Sequence, residues 1–228
     1  MSSPIILALD VESEIALDLA NKIDPNDCKL KIGSKLFTSS GPSIVSSLND
    51  LGFDIFLDLK FHDIPNTVYG AIAEACELGV WMVNIHCFGG EEMMKSARKS
   101  IVDSEATKKP LLIGVTLLTS FDDEGAKRVG IDNIKKHVNS LAKLAKESGL
   151  DGVVCSPKEV KSLKDSLGKD FIAVTPGIRS SDSKEDQKRT MSPNEALENG
   201  SDYLVIGRPI IESDNPVESI KSLLKEIH

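Results

Sequence analysis

The chain has 228 residues, 40% of them apolar, with 27 lysines and arginines against 35 aspartates and glutamates, a formal net charge of −8. That is enough to bury a substantial core, and the acidic balance argues against a broad nucleic-acid or anionic-membrane surface, which needs a basic face. A small anionic ligand stays open, because a local site can be positive on an acidic protein.

Short apolar runs alternate with longer amphipathic ones from end to end. In chain order the strand candidates are 5–9, 28–32, 54–59, 80–86, 111–117, 152–155, 171–175 and 203–206, each β-branched or apolar and bounded by Gly, Pro, Asp or Ser. Helical periodicity runs over 14–23, 42–51, 67–78, 91–102, 133–148 and 216–227, with shorter helices at 157–167 and 193–198. Ser13 and Asp132 supply start signals, Gly79 and Gly149 stop signals. Eight strands alternating with eight helices and no linker predict a single-domain (β/α)8 TIM barrel over 1–228. A doubly wound open sheet is the alternative; the dinucleotide fingerprint G-x-G-x-x-G is missing after the first strand, and eight units overfill its usual halves.

The four cysteines, Cys28, Cys76, Cys87 and Cys155, form no C-x-x-C pair and read as small buried hydrophobes of a reducing compartment. The first residues carry no basic region before their short apolar run, and no apolar stretch approaches the roughly 20 residues that span a bilayer. The expectation is a cytoplasmic protein with neither membrane nor nucleic-acid partners. The polar segment 180–190, after the seventh strand, is longer than ordinary connections and falls at the face where such barrels keep their chemistry. It reads either as a solvated loop or as a lid at about 179–191.

Along Asp54-Ile55-Phe56-Leu57-Asp58-Leu59-Lys60, alternation turns Ile55, Leu57 and Leu59 toward the helices and Phe56, Asp58 and Lys60 into the barrel. Two opposite charges therefore point inward at the top of strand three, with Asp63 where the chain leaves the rim. A structural ion pair would explain a lone Asp-x-Lys. Other charges sit at strand tops as well: Asp10, Lys31 (with Lys29 two residues earlier on the same face), His86, Arg179 and Arg208. Such clustering marks a site. Gly207-Arg208 after strand eight, one strand beyond Thr175-Pro176-Gly177-Ile178-Arg179, suits phosphate: glycine permits close backbone approach, a following helical turn presents free N–H groups, and the guanidinium offers a planar donor fork.

The segment Asp58-Leu59-Lys60-Phe61-His62-Asp63-Ile64-Pro65-Asn66-Thr67 resembles the D-x-K-x-x-D-I-P-x-T signature of orotidine 5′-monophosphate decarboxylases. The likeness, to the bacterial-type branch, extends through the stretches 7–10, 30–33, 115–120, 174–179 and 205–208, in the same order. The resemblance implies a catalytic array of Lys31, Asp58 and Lys60, completed by Asp63 from the other subunit of a homodimer. It also implies that Thr67 reaches across to the neighbour's ligand, that Asp10 and Lys31 bind ribose hydroxyls, and that Thr119 and Ser120 lie near the pyrimidine, Ser120 contacting the base amide. Arg179, Gln187, Gly207 and Arg208 would hold phosphate. No metal and no organic cofactor is expected.

Two rival readings remain. A sister family of Mg2+-dependent sugar-phosphate decarboxylases and aldolases shares D-x-K-x-x-D; His62 and Ile64-Pro65-Asn66-Thr67 favour the nucleotide enzyme. A non-catalytic phosphate-binding barrel would keep Arg208 but has no need of Asp58, Lys60 and Asp63 together. Trp81 and Met82 are expected in the core, Met93-Met94 in helix packing, and His137 on a helix surface.

Overall fold

Parallel strands cannot be joined by hairpins, so each successive strand here needs a crossover whose apolar stripe covers the sheet. The computed structural model, described over residues 3–178 and 191–227, resolves that requirement by closure: its eight strands pair in parallel, each with the next in sequence and the eighth with the first. The first half runs β1 (Ile5–Ala8), α1 (Ser13–Lys22), β2 (Lys29–Gly33), α2 (Ser34–Ser40), α3 (Ser43–Asp50), β3 (Ile55–Phe61), α4 (Pro65–Glu77), β4 (Met82–His86) and α5 (Gly90–Asp103). The second runs β5 (Leu111–Val115), α6 (Asp123–Arg128), α7 (Ile134–Glu147), β6 (Gly152–Val154), α8 (Pro157–Leu167), β7 (Ile172–Pro176), α9 (Pro193–Glu198), β8 (Tyr203–Ile206), α10 (Arg208–Ile211) and α11 (Pro216–Glu226).

Alternation along the strands separates two cores. Ile5, Leu7, Leu30, Ile55 and Leu57 face outward and pack with the helices' buried stripes, Met93 and Met94 among them, and all four cysteines lie in this outer core. Ile6, Phe56, Met82, Ile113 and Val174 face inward and fill the barrel. Phe56 thus forms the floor on which Asp58 and Lys60, on the same face of β3, stand. At the opposite mouth Lys29 is buried: its Nζ donates to the Ser3 carbonyl at 2.9 Å and lies 5.1 Å from the Trp81 ring centroid. Burial holds its pKa below the ordinary lysine value, with the nearby Asp54 carboxylate opposing. Lys29 and Lys31 share a face but serve opposite ends, stability below and the cavity above.

Several boundaries differ from expectation. β3 runs two residues past Leu59, to Phe61, and α4 begins at Pro65, where the ring's fixed φ suits the first helical turn. The extra helices α2 and α6 escaped notice because their short sequences bury only Leu36 and Ala126. The caps of α1 and α7 also shift: α1 starts at Ser13 without a side-chain cap bond, and Asn133, not Asp132, accepts from the Lys136 amide at 2.8 Å. Gly79 and Gly149 do end their helices, at φ 68° and 84°. His137 is half-buried rather than on the surface, its ring 4.9 Å from that of Phe88.

Candidate active site

The inner layer of apolar side chains stops short of the C-terminal mouth and leaves a cavity of about 320 Å³ above Phe56 and Val174. Leu117, Val154 and Pro176 are among its apolar walls. Its charged lining consists of Asp10, Lys31, Asp58, Lys60 and Arg208, three cations against two carboxylates, so the cavity is locally positive on a chain of net charge −8. An anion is favoured there by the local field, against the sign of the whole molecule.

Asp58 is the hub. One carboxylate oxygen, Oδ1, accepts from Lys60 Nζ at 2.6 Å and from Asn84 Nδ2 at 2.6 Å; the other, Oδ2, lies 3.2 Å from Lys31 Nζ. Lys31 Nζ in turn donates to Asp10 Oδ1 at 3.3 Å. Charge therefore alternates along Asp10, Lys31, Asp58 and Lys60. The Lys31 and Asp58 side chains are 9% and 11% exposed, those of Lys60 and Asp10 34% and 61%, so the chain runs from a desolvated centre to open ends. Burying Lys31 and Asp58 is tolerable only because each faces an opposite charge. Gly33 makes room for this: a Cβ there would stand 3.0 Å from Lys31 Nζ and 3.1 Å from Asp10 Oδ1.

β3 is irregular where it carries the charges. Leu57 pairs with Val83, but Phe61 pairs with Ile85, so four residues of β3 advance against two of β4. Within this bulge Lys60 has φ 53°, the one non-glycine residue with positive φ among those described. Bulges re-aim side chains beside active sites, and strained backbone collects there. Beside it, burial holds the His86 imidazole below the ordinary histidine range; His62, whose ring lies 5.4 Å away, and Lys60 add to the effect, and Asp58 opposes it.

Residues 3–223 match the model of the family described as Orotidine 5'-phosphate decarboxylase / HUMPS family. The chain belongs to that family. It is 52% identical to the orotidine 5'-phosphate decarboxylase of Pseudoalteromonas translucida (strain TAC 125), over 99% of this chain and 97% of the relative. Identity to the enzyme of that name from Legionella pneumophila (strain Corby) is 50%, over the full length of both. The crystal structure of orotidine 5'-phosphate decarboxylase from Lactobacillus acidophilus superposes with a TM-score of 0.88 at 39% identity, covering 99% of each chain. The family and the barrel read from the sequence are thus both borne out.

Of the residues the resemblance singled out, Asp10, Lys31, Asp58, Lys60, Thr119, Gly207 and Arg208 line the cavity. Ser120, Asp63 and Thr67 are exposed and do not. Asp63 sits on the rim, its Oδ1 accepting from the Ile64 amide at 2.7 Å; α4 has Ile64 as its cap residue and no side-chain cap, so Asp63 is not holding that helix. Arg179, Gln187 and, except for Met191, the expected lid lie outside the described residues; the flanking Ile178 and Met191 form a parallel bridge. Among the described residues no three His, Cys, Asp or Glu side chains gather as a metal site, and no helix is long and apolar enough to cross a membrane. Asn84 was not anticipated. Its signal was a lone amide between apolar neighbours in a buried stretch of strand, next to the strand carrying Asp58 and Lys60.

Proposed function

We propose that this chain is a carboxy-lyase that converts orotidine 5′-monophosphate to uridine 5′-monophosphate in de novo pyrimidine biosynthesis, in the cytoplasm and without metal or organic cofactor. The observation that carries the reading is the alternating chain Lys31, Asp58, Lys60 inside a positive cavity with Arg208 on its lining. The names of relatives that match this chain end to end support the same substrate.

The chemistry suits these groups. When the bond from C6 of the pyrimidine to its carboxylate breaks, CO2 leaves and the electron pair stays at C6 in the ring plane, where no ring system or imine absorbs it. An ammonium beside C6 stabilises that charge and then gives up its proton to the carbon; Lys60 is the group proposed for both tasks. Lysine is afterwards reprotonated from water. Asp58 lies between the two ammoniums, 3.2 Å from one and 2.6 Å from the other, and balances their charge. Asp10 and Lys31 take ribose hydroxyls, Thr119 and Ser120 the base, and Gly207 and Arg208 the phosphate, with Arg179 and Gln187 joining on sequence grounds alone. The uncatalysed reaction is slow enough that roughly 20 kcal/mol must come off the barrier. One lysine cannot supply that, so binding energy from the remote phosphate must be spent on ordering the reacting centre.

Metal independence is supported by the engagement of both cavity carboxylates, Asp10 and Asp58, with lysines, which leaves the cations and not a divalent ion as their partners. Shared sites in a homodimer are supported by the rim: Asp63 and Thr67 are exposed, as is Ile64, 67% accessible between them. A two-fold contact across that rim carries both carboxylates toward the opposite cavities. The test against the sister chemistry is substrate choice. The protein should turn over orotidine 5′-monophosphate equally with EDTA or Mg2+ and leave acidic sugar phosphates untouched. Mg2+-dependent turnover of a sugar phosphate, with the nucleotide inert, would overturn the proposal.

A further inference from the structure

We infer that Asn84 is a positioning residue for the reacting pair Asp58 and Lys60, an inference that rests on the function proposed above and extends it to a residue outside the cavity lining. Asn84 lies in β4 and is fully buried. Its Oδ1 accepts from the Lys60 backbone N–H at 2.8 Å, and its Nδ2 donates to Asp58 Oδ1 at 2.6 Å. The same carboxylate oxygen takes the Lys60 ammonium. One side-chain amide therefore fixes both the backbone that carries the lysine and the carboxylate that faces it.

The backbone needs such a partner. In a regular parallel pair, the residue after Leu57 would continue the ladder with Asn84, and Lys60 would stand two steps further on, opposite His86. The bulge abolishes that pairing, places Phe61 opposite Ile85 and leaves the Lys60 N–H without a ladder carbonyl. It also puts Lys60 at φ 53°, a conformation that disfavours any side chain with a Cβ. Asn84 replaces the missing carbonyl with its own. The part-buried N–H and the buried carboxylate each demand a partner, and the two demands are opposite: one an acceptor, the other a donor. At this length a carboxamide meets both at any pH, whereas an aspartate does so only when protonated, because an ionised one only accepts. The chemistry of the two partners also settles which amide atom is oxygen.

Two variants test the role. Asn84→Leu keeps the branching at Cγ, at somewhat larger volume, and removes both hydrogen bonds. Misplacing a reacting group by about 1 Å costs about a hundredfold in turnover, so kcat should fall about that far while KM stays within about threefold, because Asp10, Lys31 and Arg208 are untouched. A kcat within threefold of wild type would overturn the inference. Asn84→Asp is nearly isosteric and supplies a signature that packing alone would not. Protonated, the introduced acid donates to Asp58 and accepts from Lys60 as the amide does; ionised, it sets two carboxylates against each other. The other ionisable groups there are Lys31 on β2, Asp58 and Lys60 on β3, and His86 on β4, and the neighbouring β5 is apolar. All are common to both proteins, so the ratio of variant to wild-type kcat isolates the new acid. That ratio should be highest at acid pH and fall as pH rises; a ratio independent of pH would overturn the role, whatever its size. The wild type run alongside reports on the proposed activity separately. Were it inactive, the crystal structure of Asn84→Leu decides: loss of the β3 register shift is expected, and a retained shift with Lys60 still at positive φ would refute the inference.

Discussion

Replacing Lys60 by alanine separates catalysis from stability by magnitude. The lysine makes one short ion pair, 2.6 Å to Asp58, from a side chain that is 34% exposed. After its removal Asp58 keeps Lys31 at 3.2 Å and Asn84 at 2.6 Å, so the carboxylate is not orphaned. A hydrogen bond to a charged group is worth about 1.5–3 kcal/mol, and discounting for exposure leaves about 1–2 kcal/mol of folding stability at stake. In a domain of this size that lowers Tm by about 2–8 °C. The catalytic loss is larger. A general acid contributes about 10²–10⁴-fold and electrostatic stabilisation of the developing charge about 10²–10³-fold, so at least about 10⁴-fold should vanish, equivalent to about 5.4 kcal/mol. Urea denaturation gives the first quantity and loss of pyrimidine absorbance with orotidine 5′-monophosphate the second. A folded Lys60→Ala protein turning over within tenfold of wild type would refute the assignment of the proton donor.

Gly33→Ala should fold, since φ −91° and ψ −180° suit any residue, but its Cβ must displace Lys31 or Asp10; turnover should fall about tenfold or more, and unchanged kinetics would mean that this contact is idle. Burial pushes the Cys28 and Cys87 thiols up to about 12 and raises Cys76 and Cys155 as well, so a neutral thiol reagent at pH 8 should label all four only after denaturation; rapid labelling of the native protein would contradict this. Mixing inactive Lys60→Ala and Asp63→Ala proteins should restore about a quarter of wild-type activity once subunits exchange, because one site of each heterodimer then carries neither lesion. Absence of recovery despite demonstrated exchange would place Asp63 in its own chain's site.

The barrel was legible because period-two alternation and period-3.6 stripes are both dictated by burial, and they assigned Phe56 and Asp58 to the interior correctly. What alternation cannot carry is depth and irregularity. Lys29 and Lys31 read alike from their spacing, yet one plugs the lower mouth and the other meets Asp58. The end of β3 was set two residues early because a left-handed lysine within a bulge leaves no periodic trace. α10 was read only as a helical turn after Gly207, because four residues beginning Arg208-Pro209 are too short to show a stripe. His137 was read as exposed because the 3-10 turn Cys87–Gly89, which brings Phe88 against it, has no signature of its own. The charged residues of the site were legible through a motif; Asn84, which belongs to no motif, became visible only through its two partners.

The central claim is that these side chains alone break the bond at C6 of the nucleotide. Purified protein dialysed against EDTA and given orotidine 5′-monophosphate should release CO2 and uridine 5′-monophosphate one for one, at a rate that added Mg2+ does not change. Nucleotide bound but unchanged, or turnover that appears only when the metal is restored, would contradict it.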